Sequence, residues 1–151
     1  MLEFAFVGVF LVMLAFGIIV FGLLLSFKQD VTRAAAEGAR VGAVAQPPAA
    51  APATAADDNR YDVTLAATED AVDSFGKTCG SGGMTCDVII HDCNAAPVAG
   101  SVTYWDNGSD DCVTVELRYD YANNPLIIDP PMLSGALPET ISSKSVARLN
   151  Q

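Results

Sequence analysis

The residues of this 151-residue chain best suited to chemistry are four cysteines, Cys79, Cys86, Cys93 and Cys112, all in one loop-rich stretch. Four cysteines could in number fill a structural zinc site, but no histidine stands nearby at zinc-ligand spacing except His91, and the pattern reads more easily as disulfides. A cysteine nucleophile would need a paired base and surroundings that stabilise the thiolate. An even number of clustered cysteines in an acidic segment predicts two disulfides in an oxidising compartment. Three pairings are open. The favoured one closes the Gly-rich CGSGG loop with Cys79–Cys86 and joins two strand ends with Cys93–Cys112.

The remaining candidates carry less. His91, between Ile90 and Asp92, reads as a structural strand histidine. Asp106, Asp110 and Asp111 offer the hard oxygens calcium takes, but without EF-hand spacing, and their Asn-Gly pair at 107–108 is explained by a hairpin turn. Asn107 heads an Asn-Gly-Ser sequon. No acid/base pair, nucleophile triad, phosphate loop or metal-spaced cluster is legible, so the expectation is a protein that is not an enzyme and uses no metal or cofactor.

The charges in the first 45 residues raise a different question, because of what surrounds them. From Phe4 to Phe27 the chain has no charged residue. As a helix this run is roughly 36 Å long, enough to cross a bilayer core with some tilt. The stretch KQDVTRAAAEGARVGAVA continues the helical pattern to Pro47 and Pro48, which must end it. A rod that is half apolar and half amphipathic needs a partner besides lipid. Glu3, at the apolar end, is costly to bury unpaired. Its natural partner is the free α-amino group of a neighbouring subunit; the alternative is an interfacial position at the favourable N-terminal end of the helix dipole.

Lys28, Arg33 and Arg40 follow the apolar run, and the positive-inside rule alone would leave the C-terminal part in the cytoplasm. The cysteines argue the reverse. A short basic leader ahead of Met1, removed on the cytoplasmic side, reconciles the two. Glu3, Asp30 and Glu37 cancel the three basic residues before Ala56, so the net charge of −10 belongs to the residues after Ala56. An acidic domain repels nucleic acid and anionic membranes, which excludes direct nucleic-acid binding through a basic patch.

The chain thus divides into a hydrophobic and amphipathic helix over residues 1–45, a Pro/Ala-rich linker over 46–59 and an extracytoplasmic head over 60–151. In the head, Tyr61, Leu65, Thr68, Val72 and Phe75 recur at helical spacing and predict a helix over 61–75. CDVIIHDC, SVTYW, CVTVELRYDY and ISSKSVARL read as strands; in the third, Val113, Val115, Leu117 and Tyr119 share one face. The predicted fold is α+β: a long N-terminal helix continuing into a rod, then a small disulfide-stapled head of one helix against a mainly antiparallel sheet.

The segment EFAFVGVFLVMLAFGIIVFG, the small-residue block AAAEGARVGAVA, and a Cys-bearing β-rich head with VTVELRYDY and SVARL together resemble the TadE-like pilins and pseudopilins, relatives of type IV pilins. The resemblance is strong over residues 3–45 and weaker over 110–149. It implies cleavage by a prepilin peptidase and residence in the cytoplasmic membrane. An assembly platform would then pack identical subunits through their N-terminal helices into a helical filament at the cell surface. Glu3 matches the family's acidic residue near the mature N-terminus, although it stands closer to the end than usual; Glu37 and Arg40 match its EGAR block.

The expected assembly residues are Glu3, Phe4 and Gly8 at the apolar end and Arg33, Glu37, Ala39, Arg40 and Gly42 in the small-residue block, where short side chains let helix backbones approach closely. Arg33, Glu37 and Arg40 share a helix face and form either an intersubunit salt bridge or a solvated stripe. The leading expectation is a structural pilin subunit with a role in adhesion or surface contact; the alternatives are a minor pseudopilin or a single-pass, membrane-anchored extracytoplasmic binding module.

Overall fold

The computed structural model describes residues 2–46 (side chains from Val7 onward), 59–94, 96, 111–126 and 137–149. The linker, the SVTYW segment, Asp106, Asn107 and Asp110 lie outside these residues. The elements are α1 (Leu2–Val44), α2 (Asn59–Asp73), β1 (Met84–Asp92), β2 (Asp111–Asp120) and β3 (Thr140–Arg148). The strands form one antiparallel sheet in the order β1-β2-β3. This is the predicted α+β arrangement of long helix, second helix and antiparallel sheet.

α1 runs unbroken through the apolar segment and stops three residues before Pro47. α2 begins and ends two residues earlier than its periodicity predicts. Its end is set by glycine chemistry: Gly76, at φ +75°, donates to the Asp73 carbonyl at 2.8 Å while Lys77 donates to that of Val72 at 3.4 Å, a Schellman closure that a left-handed residue makes cheap.

The four alternating residues of β2 form the floor of the core, each 1% exposed or less. Both helices pack on that face. α1 contributes Val20, Leu24, Phe27, Val31 and Ala35 to the same buried cluster as Val72, Met84, Ile90 and Ile141. The linker separates rod from head only along the sequence, and in space the second half of α1 is a wall of the head. Phe27 seals the junction, with its ring centroid 4.9 Å from that of Tyr119 and 5.7 Å from that of Phe75, both edge-on.

The buried stripe of α2 keeps Thr68 and Val72 from its expected face but is shifted by one residue in its first half, to Arg60 and Thr64 in place of Tyr61 and Leu65. Arg60, Thr64, Thr68 and Val72 are buried, while Tyr61, Leu65 and Phe75 flank them, half-buried. Two threonines take the innermost positions because the surface they meet has no room for Leu or Phe. Each hydroxyl donates to the carbonyl four residues earlier, Thr64 to Arg60 at 2.6 Å and Thr68 to Thr64 at 2.7 Å, so their burial leaves no donor unsatisfied.

Candidate assembly surface

α1 changes character at Val20. From Val7 to Ile19 every residue except Gly8 and Gly17 is exposed, including Phe10, Leu11, Phe16 and Ile18. Beyond it, Val20, Leu24, Phe27, Val31 and Ala35 recur every three or four residues and are buried. The helix contains a stretch of mean hydropathy 2.9, long and apolar enough to cross a membrane. A folded body thus carries a projecting rod whose apolar side chains find no cover among the described residues.

The residues expected at the assembly surface are spread over this helix. Glu3 and Phe4 stand in its first turns, with side chains outside the described residues. Gly8 is on the projecting part, where an added methyl group would meet nothing within 4 Å. Arg33, Glu37 and Arg40 are exposed beyond the apolar run, next to the head. On this shared face the Arg40 guanidinium donates to both carboxylate oxygens of Glu37, at 2.6 and 3.2 Å. This fork, with the charge of Arg33 adding to it, holds the Glu37 carboxyl below its ordinary pKa. An exposed pair of this kind contributes little to stability.

Ala39 and Gly42 point the other way, into the chain's own head. A methyl group on Gly42 would collide with the Thr64 hydroxyl and lie 3.2 Å from Val113 Cγ1. Gly38, one turn earlier, is pressed in the same way on Thr68 and Val115. The close approach permitted by the small-residue block is therefore made within one chain, between α1 and the α2–β2 surface. The EGARVG spacing announces a close helix contact without naming its partner. The complementary signal is Thr64 and Thr68, four apart on α2 and facing the two glycines.

The two bridges are those the loops favoured, Cys79–Cys86 with Cα atoms 5.5 Å apart and Cys93–Cys112 with 5.0 Å. The first closes a turn in which Gly80, Gly82 and Gly83 all have positive φ. The second ties the end of β1 to the start of β2. Beside it, His91 is buried with both ring nitrogens engaged, Nε2 with Thr114 Oγ1 at 2.8 Å and Nδ1 with the Asp92 carbonyl at 2.7 Å. This is the structural role expected of it. Thr114, on the face of β2 that alternation would give to solvent, is buried by the same contact.

The family model described as TadE-like protein matches residues 1–40, which covers the projecting rod and most of the segment packed on the head. Neither the curated proteins nor the solved structures contain a match to this chain. The apolar helix and the match fit a Tad-pilus-related protein anchored in a membrane.

Proposed function

We infer that the chain is a structural subunit of a type IV-like, Tad-class filament, held in the cytoplasmic membrane by α1 and then packed through α1 against identical subunits, with the head outermost at the cell surface. The observation that carries this reading is the projecting half of α1. Thirteen large apolar side chains between Val7 and Leu25 are exposed on the isolated chain. At about 1.5–3 kcal/mol for each such side chain buried, covering them is worth on the order of 20 kcal/mol or more, several times the stability of a small domain. Lipid covers them in the membrane, and only other long apolar helices give equivalent cover outside it.

In this reading a prepilin peptidase frees the mature N-terminus, and the carboxylate of Glu3 pairs with the α-amino group of the neighbouring subunit. The assembly platform feeds subunits from the membrane into the filament. The head works by contact, in adhesion or surface attachment, and no catalytic step is assigned to it. The test is electron microscopy of sheared surface material labelled with an antibody against the head. Filaments carrying the label are expected; a chain recovered solely as a membrane-bound monomer would overturn the reading.

A further inference from the structure

The helical layer of the head is acidic on its outside, and the edge strand of its sheet is basic. On the helical side, a groove of about 740 Å³ runs between α1 and α2, lined by Asp30, Glu37 and Asp70 against Arg33. Glu69 and Asp73 stand exposed on α2, whose single basic residue, Arg60, is buried. On the opposite side, the outer face of the sheet carries Asp87, Glu116 and Asp120 beside Arg118, and its edge is the exposed side of β3: Thr140, Ser142, Lys144, Val146 and Arg148. No acidic residue lies on that strand. Lys144 is in register with Glu116, on the side of β2 turned away from the helices. Among the described residues outside α1, the large hydrophobic side chains left exposed are Val146 on this strand and Val63 on α2.

We propose that the α1–α2 groove of one subunit receives the β3 ridge of a second copy. Charge complementarity selects that occupant. In a chain with 18 acidic and 8 basic residues, heads brought together at random repel one another. Contact is favoured where Lys144 meets the carboxylates, with the aliphatic Val146 beside it accommodated by the alanines of the groove wall. Groove and ridge lie on opposite faces, so each contact leaves one of each free. Such a heterologous contact repeats without pairing off, as a filament requires. The inference rests on the filament reading for its repetition and not for the contact itself.

Carbodiimide treatment of cells carrying the full chain tests it, because this reagent joins touching amines and carboxylates directly. The expected product, in sheared filaments and in the membrane fraction, is a covalent dimer whose junction peptide links Lys144 to Asp30, Glu37 or Asp70. Within one subunit these residues lie on opposite faces and cannot be joined. Lys144→Arg should lose the junction and keep the filaments. Lys144→Glu should lose both, and Lys144→Glu combined with Asp70→Lys should restore filaments. Filaments of the unaltered chain without the junction would overturn the contact, as would its absence from both fractions. The junction in membranes of cells that make no filaments would leave the contact standing and remove the filament reading instead.

Discussion

Replacing Gly38 with Ala should destabilise the head, although the same change in an exposed helix stabilises it. At a free helical position Ala is favoured over Gly by about 1 kcal/mol. Here the new methyl group would run into the Thr68 hydroxyl and lie 3.3 Å from Thr68 Cβ and 3.5 Å from Val115 Cγ2. Thr68 cannot simply turn away, because its hydroxyl is bonded to the Thr64 carbonyl at 2.7 Å in a fully buried position. Rotating it forfeits that bond, at about 1 kcal/mol, and overpacking adds about 1–3 kcal/mol. Against the propensity gain, the net cost is about 2 kcal/mol, or a melting temperature roughly 10 °C lower for a domain of this size. In a Thr68→Ala background the obstructing hydroxyl is gone and Cβ remains at 3.3 Å, so Gly38→Ala should lose its cost and become neutral or stabilising by up to about 1 kcal/mol. Near-UV circular dichroism melts of the four full-length chains in detergent micelles give the cycle. If Gly38→Ala raised the melting temperature in both backgrounds, α2 would not lie against α1 at this point and the packing argument would fail.

Phe27→Ala should cost about 3–5 kcal/mol by emptying the space between Phe75 and Tyr119, and limited proteolysis of the membrane-bound chain should then cut the head readily; unchanged resistance would show that the ring is not the seal of the junction. The bridges span 7 and 19 residues of sequence, so losing Cys93–Cys112 should cost about 3 kcal/mol and losing Cys79–Cys86 about 2 kcal/mol. Paired Cys→Ala melts check that order, and four alkylatable thiols in the exported, unreduced protein would refute both bridges. Glu3→Ala should lower filament yield while the melting temperature of the head stays constant, and normal yield would defeat its pairing with a neighbour's α-amino group. A fragment starting at Asp57 should aggregate or melt far below the full chain, because it leaves Val72, Val113 and Val115 without their α1 cover; a monomeric fragment melting like the full chain would contradict a shared core.

Local signals made most of the fold legible. The uncharged run from Phe4 to Phe27, the prolines at 47 and 48, and the strict alternation of β2 each reflect a rule that acts within a few residues, and each led to an element found in the structure. The cysteine pairing is legible for the same reason, since both bridges close short loops. What did not show was which surfaces meet. Ala39 and Gly42 advertise close approach equally well whether the partner is another rod or the chain's own α2. The register of α2 misled for a related reason: hydrophobic periodicity ranks Leu65 above Thr64, but the depth of burial was decided by Gly38 and Gly42, on another helix far away in sequence. Thr114 and His91 likewise pair across two strands, 23 residues apart.

Because α1 passes without a break from its apolar half into the core, the head has no hinge at the point where it meets the membrane. Val20, Leu24, Phe27 and Val31 are fixed to the sheet by the same rigid element that carries Val7–Ile19 outward. The connection between rod and sheet is α1 itself, packed on β2 and β3. Whatever orientation a subunit's rod takes among its neighbours is therefore imposed on the head as well, and with it the direction of the α1–α2 groove and of β3. A head tethered through a flexible linker would have to lose orientational freedom to make a specific lateral contact, a cost of several kcal/mol that a docked head does not incur. In the proposed filament, the glycines at 38 and 42 and the ring of Phe27 would thus act on assembly from inside the subunit: by clamping the head to the rod they would let packing of the helices align the surfaces of adjacent heads.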